Sequence, residues 1–155
     1  MKNVFFYDSD IGKIGIAEDG GYISDVFFEK EEITNYIISE TSPIREAHKQ
    51  IDEYLKGKRK SFDLPLSLSG TEFQQKVWNA LKEIPYGETK SYKDVAVAIG
   101  NEKACRAVGM ANNRNPISII IPCHRVIGKN GKLVGYGGGI QIKEYLLKLE
   151  SENNI

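Results

Sequence analysis

Residues 117–121 read Ile-Ser-Ile-Ile-Ile, the most apolar run of the chain, and break off at Pro122 with Cys123, His124 and Arg125 directly behind. So short a β-branched run predicts a buried strand. Pro122 has no N–H to offer a neighbouring strand, so regular pairing is expected to stop there. Cys123 then stands where the chain leaves a rigid element, its thiol held in one direction. A free cysteine is most often a small buried hydrophobe. Two potential cations follow this one, however, and nearby positive charge favours thiolate over thiol. Adjacent residues of an extended segment point to opposite sides. Contact between His124 and the Cys123 sulfur therefore requires a bridging water or a bend.

The 155 residues fit one average domain or two small ones sharing an interface. No stretch approaches the roughly 20 apolar residues that span a bilayer, and the first residues do not resemble a signal peptide. A soluble, cytoplasmic protein with no membrane partner is expected. Besides Cys105 and Cys123 there are only His48 and His124, without the close spacing of a zinc site, so no metal is expected. The formal net charge is zero, but its distribution is uneven. Residues 1–70 carry nine Lys and Arg against thirteen Asp and Glu; residues 71–125 carry eight against five. That asymmetry suggests two modules, although +3 over one segment is also ordinary surface scatter.

Residues 4–7, 11–17 and 22–28 read as three strands of an antiparallel meander, separated by Asp8-Ser9-Asp10 and Glu18-Asp19-Gly20-Gly21. A helix is possible over 31–39. A better one covers 44–55, where Ile44, Ala47, Ile51, Tyr54 and Leu55 repeat at helical spacing ahead of Gly57. His48 reads as a boundary histidine without a chemical role. The extended stretch 62–69 is a connector, which places the domains at 1–68 and 69–155. Thr71 with Gln74, and Ser91 with Asp94, have the capping-box pattern of helix starts. Trp78 flanks the apolar face of the first helix and reads as core. Asn101 is expected to cap a third helix over 102–111. Two short helices around Gly100 outline a helix-turn-helix, an outline shared by many proteins that never touch DNA. Asn130-Gly131, between 126–127 and 133–134, predicts a hairpin and hence a winged version. The loop 135–139 offers either close approach to a flat ligand or plain flexibility. A last amphipathic helix is expected to end at Glu150, with the remaining residues fraying.

Asn115-Pro116 and Pro122-Cys123-His124-Arg125-Val126 resemble the active-site segment of the O6-alkylguanine-DNA alkyltransferases. The resemblance runs over residues 71–150. It takes in Val77-Trp78, Ile84-Pro85-Tyr86-Gly87, Ser91-Tyr92, Arg106-Ala107-Val108-Gly109, the glycine loop and Lys143-Glu144-Tyr145-Leu146-Leu147. The implied fold is α+β: a small amino-terminal three-stranded antiparallel sheet with helices, then a winged helix-turn-helix domain carrying the cysteine.

The resemblance implies a protein that binds double-stranded DNA as a monomer, without cofactor. It flips out O6-alkylguanine (O4-alkylthymine is a further substrate) and moves the alkyl group irreversibly to Cys123. His124 and Glu150 would relay the thiol proton through water, Tyr92 would donate to guanine N3, and Asn115 would brace the active-site turn. Arg106 would fill the vacated place in the base stack, with Ala107 permitting close approach. Tyr92 and Arg125 complete the implied DNA contacts. Val126, Tyr136, Gly137 and Gly138 would line the substrate pocket, with the carbonyls of Cys123 and Val126 accepting from the exocyclic amine. Gly137 stands where relatives often carry a side chain, which implies a roomier pocket. A damage-marking relative without transfer lacks the cysteine, so Cys123 argues against it. A cysteine hydrolase would need a histidine aimed at the sulfur.

Overall fold

The structure, a computed structural model, describes residues 1–28, 34–133, 136 and 138–154. Strands β1 (Lys2–Tyr7), β2 (Ile14–Asp19) and β3 (Tyr22–Phe28) form the expected antiparallel meander. A fourth strand, β4 (Tyr36–Ile38), joins parallel to β1, giving the order β3-β2-β1-β4. β4 replaces the helix expected over 31–39; Glu31 and Ile33 lie outside the described residues. Asn35 has a φ of 66°, which no right-handed helix accepts, and the open edge of β1 offers Tyr36 to Ile38 a ladder instead.

Helix α1 (Ser42–Leu55) begins with a proline in its first turn, where the missing N–H costs nothing. It turns Ile44, Ala47, Ile51 and Tyr54 inward and packs on β2 and β3. The second half of the chain supplies α2 (Glu72–Lys82), α3 (Tyr92–Ala98), α4 (Cys105–Asn113) and α5 (Ile140–Asn153). Both capping boxes form: Gln74 N donates to Thr71 Oγ1 at 3.1 Å and Asp94 N to Ser91 Oγ at 3.0 Å, with the return bonds in place. Each such cap contributes about 1 kcal/mol. α3 and α4 meet across Gly100, whose φ of 79° turns the chain, and form the helix-turn-helix pair. Asn101 does not cap α4. Its carbonyl instead accepts from Ala104, and the helix starts later than expected, at Cys105. α5 continues past Glu150 to Asn153.

The Asn130-Gly131 turn forms as expected: the two residues take φ of 65° and 79°, and Gly128 N donates to Lys132 O at 2.7 Å across it. β6 (Val126–Ile127) pairs in parallel with β5 (Lys90–Ser91), just ahead of α3. Asn130 departs from helical geometry, at φ 65° and ψ 25°, and Val134, in the second strand of the expected hairpin, lies outside the described residues. The strand expected over 117–121 is also replaced. Only Ile117 ladders, with Val26 of β3. Ile120 N bonds Ser118 O at 2.8 Å around Ile119, whose φ is 72°; this is the rare, strained kind of γ-turn. Cys123 N bonds Ile121 O at 2.8 Å around Pro122 at φ −80°, ψ 63°, an inverse γ-turn. The run is buried as its composition requires, but its backbone bonds are local turns. A single core joins both halves: Ile16, Ile51 and Tyr54 pack in one cluster with Val77, Trp78, Leu81, Ile121 and Leu146.

Candidate active site

The free edge of β3 holds the active-site segment. Val26 N donates to Pro116 O at 2.9 Å and Ser118 N to Val26 O at 3.0 Å. Asn115 braces the turn that follows. Its Nδ2 donates to Ile121 O at 2.8 Å, and its Oδ1 accepts from Ile117 N at 3.0 Å. Those two bonds close a loop around Ile119 and compensate the strain stored there. The chain then enters a 3₁₀ turn, Cys123–Arg125, so the bend anticipated between Cys123 and His124 is supplied by the backbone.

Cys123 is 4% exposed. Burial pushes its thiol up to about 11, against the opposing pull of Asn115 and Lys143. The resting sulfur is therefore a protonated thiol, contrary to the expectation that its cationic neighbours would favour thiolate. Desolvation outweighs them. Tyr92, Tyr136 and Lys143 surround the sulfur closely enough for its charge to act on each. Tyr92 opens α3 and is half-buried, with its phenol raised by burial and by Cys123. Its ring borders α4, where a Cβ at Gly109 would lie 3.8 Å from it.

Behind the cysteine lies a buried ionic cluster. His124 Nε2 is 2.6 Å from Glu150 Oε2. Burial opposes ionisation of Glu150, but bonds from His124 and Arg125 outweigh it and hold the carboxyl down to about 2. The carboxylate can only accept, so His124 Nε2 carries the hydrogen. Burial keeps the imidazole neutral, against the pull of Glu150. Its Nδ1 is then a bare acceptor, buried and without a partner among the described residues. The Cys123 thiol thus sits one residue from a neutral imidazole whose Nδ1 has no partner among the described residues.

Arg125 was expected at the DNA surface, and the structure corrects this. It is 7% exposed, and its guanidinium is committed to Glu150 and to Ile84 O. Arg106 and Ala107 do lie on the exposed face of α4. Gly138 packs so tightly that a Cβ would come within 2.7 Å of the Phe28 ring, and Tyr136 lies 5.9 Å from the same ring. Gly137 lies outside the described residues. The carbonyl of Cys123 accepts from Asn112 Nδ2 at 3.4 Å and from Val126 N, and that of Val126 accepts from Lys143 Nζ at 2.5 Å. Among the described residues no group of His, Cys, Asp and Glu could hold a metal ion, and no helix is long and apolar enough to cross a membrane.

Two family models match the chain. The ribonuclease-like domain of 6-O-methylguanine DNA methyltransferase matches residues 5–68, and its DNA-binding domain matches residues 72–152. The chain belongs to the 6-O-methylguanine DNA methyltransferase family. It is 55% identical over 148 residues to a methylated-DNA–protein-cysteine methyltransferase of Methanosarcina acetivorans, covering 93% of this chain and 95% of that protein. A constitutive one from Bacillus subtilis is 49% identical over 151 residues, covering 92% of each. The crystal structure of Mycobacterium tuberculosis O6-methylguanine methyltransferase superposes with a TM-score of 0.92 at 43% identity, over 99% of this chain and 94% of that one. The Mycobacterium tuberculosis protein in complex with DNA gives 0.92 at 45% identity, over 97% and 94%. The α+β class and the helical DNA-binding half stand as the sequence implied.

Sequence reasoning missed two residues of this site. Tyr54, assigned to the core of α1, donates to Glu150 Oε2 at 2.5 Å. Lys143, quoted only as part of the resemblance and given no role there, is fully buried and holds the Val126 carbonyl. A signal for Lys143 existed: Lys143, Leu146 and Glu150 are spaced three and four apart on the buried face of α5. Nothing local distinguishes Tyr54 from an ordinary core tyrosine.

Proposed function

We propose that this protein repairs double-stranded DNA by taking the alkyl group of O6-alkylguanine onto Cys123, once per molecule. The observation that carries the reading is the placement of Cys123. Its buried thiol acts on Tyr92, whose ring borders α4 at Gly109, and the next residue, His124, is paired with Glu150. An alkyl carbon presented to the sulfur is displaced directly: the sulfur–carbon bond forms as the carbon–O6 bond breaks. The bond pair leaves on the base, which takes a hydrogen bond or proton from Tyr92 at N3. The thiol proton passes through a bridging water to His124, and Glu150 stabilises the imidazolium. The thioether has no leaving group to regenerate it, so turnover stops at one.

A base inside a duplex cannot reach a sulfur this deeply buried, so the target is flipped out at a cost of a few kcal/mol. Arg106, on the exposed face of α4, fills the vacated stack, and Ala107 lets the helix approach closely. Val126, Tyr136, Gly137 and Gly138 line the pocket for the base, and O4-alkylthymine is a second, smaller substrate. Residues 69–155 bind DNA and transfer the group, while residues 1–68 supply the sheet edge that seats the active-site segment. The protein acts as a cytoplasmic monomer without cofactor. A titration of the protein against a duplex carrying one O6-methylguanine tests this: repair ends at one lesion per chain. Continued repair beyond one equivalent contradicts it.

A further inference from the structure

We infer that Tyr54 is a positioning residue of the alkyl-transfer site, donated by the amino-terminal half to set how readily His124 takes the thiol proton. Glu150 Oε2 has three partners: Tyr54 Oη at 2.5 Å, His124 Nε2 at 2.6 Å and Arg125 Nη2 at 3.0 Å. Oε1 accepts from Arg125 Nε at 2.8 Å and from Gly87 N at 3.2 Å. Tyr54 Oη also lies 3.3 Å from His124 Nε2. The phenol therefore touches both members of the pair, and it reaches them from α1, 96 positions earlier in the chain. It is fully buried, with its ring edge-on to Tyr86 and tilted against Phe62. Burial and the Glu150 carboxylate hold the phenol protonated, so it donates.

A carboxylate oxygen shares its charge among its donors. The bond from Tyr54 draws density away from Oε2 and weakens the pull of Glu150 on the imidazolium. The other groups facing the pair are Arg125 from the 3₁₀ turn, Tyr86 and the Gly87 N–H from the loop after α2, Tyr136, and Lys143 from α5. Arg125 and Lys143 disfavour a second positive charge on His124, and only Glu150 favours it. Tyr54 thus moderates the single group that raises the basicity of the imidazole. Removing its hydroxyl would leave His124 more basic and protonated over a wider pH range, hence unable to accept the thiol proton there.

The inference rests on the proposed function, and the experiment separates the two. The single-turnover rate of methyl transfer from an O6-methylguanine duplex is measured against pH for wild type, Tyr54→Phe and a protein with 3,5-difluorotyrosine at 54. The wild type must first gain a methyl group; without that, the functional reading and this inference both fail. Tyr54→Phe is expected to move the midpoint of the acidic limb up by about one pH unit, cutting the rate at pH 6 by up to about tenfold and leaving the alkaline plateau within about twofold. Difluorotyrosine, a stronger donor of nearly the same shape, is expected to move the midpoint down. It decides the matter alone if Tyr54→Phe does not fold. Midpoints that stay fixed, whether the rate is unchanged or uniformly lower, overturn the assignment and leave Tyr54 a packing residue.

Discussion

Arg125 grips both oxygens of Glu150, Nε to Oε1 at 2.8 Å and Nη2 to Oε2 at 3.0 Å, with the two residues only 7% and 1% exposed. A residue that reads as a DNA-facing cation is thus the internal counter-ion of the buried Glu150 carboxylate. Replacing a buried pair by apolar groups is often harmless, but removing one partner strands the other charge.

Arg125→Ala should therefore lower the unfolding free energy by about 3–5 kcal/mol. Urea denaturation measures this. The salt dependence of DNA binding should stay that of the wild type, because a guanidinium held by Glu150 releases no phosphate counterions. A flatter salt slope with unchanged stability would restore Arg125 to the DNA surface.

Stability should fall on the acid side in two stages. Glu150 titrates near 2 in the fold against an ordinary value of 4.5, so its contribution is complete above about 4.5 and is lost as pH falls toward 2. His124 is held neutral in the fold below its ordinary 6.5, so the unfolded chain binds the extra proton and the decline begins as pH drops through 6.5. Thermal melts from pH 8 to pH 3 should show both limbs with the same sign. Glu150→Gln should flatten the lower one.

The thiol of Cys123, pushed up to about 11, should resist iodoacetamide at pH 7 and react faster as the pH rises toward 11. Cys105 is only part-buried at the start of α4 and should label first. Peptide mapping after timed labelling distinguishes the two. Rapid labelling of Cys123 at neutral pH would mean that the thiolate is already formed.

The alkylated protein should be less stable than the free one. Cys123 sits in a packed core at 4% exposure, and inserting a methyl group there costs about 1–3 kcal/mol. A melting temperature unchanged after stoichiometric methylation would show that the pocket accommodates the group without strain.

Elements whose signals are local were legible in the sequence. The two capping boxes, the stripe of α1 and the turns of the meander each rest on residues within a few positions of one another. The candidate site segment was readable only through its resemblance to a known family, carried by Pro122-Cys123-His124-Arg125-Val126. Long-range partners decided the rest. β4 formed because the edge of β1 was open. Residues 117–121 gave up a strand because Asn115 and the edge of β3 satisfied their backbone differently. β6 found β5, far earlier in the chain. Tyr54 and Arg125 misled for the same reason: their partner, Glu150, is 96 and 25 positions away.

The most direct measurement is the intact-protein mass after incubation with a duplex carrying one O6-methylguanine, with Cys123→Ser in parallel. With Cys123 as acceptor, the wild type gains a single methyl group that maps to Cys123, and the variant gains none. An unchanged wild-type mass, or a methyl group on any other residue, would contradict the assignment of Cys123 as the nucleophile.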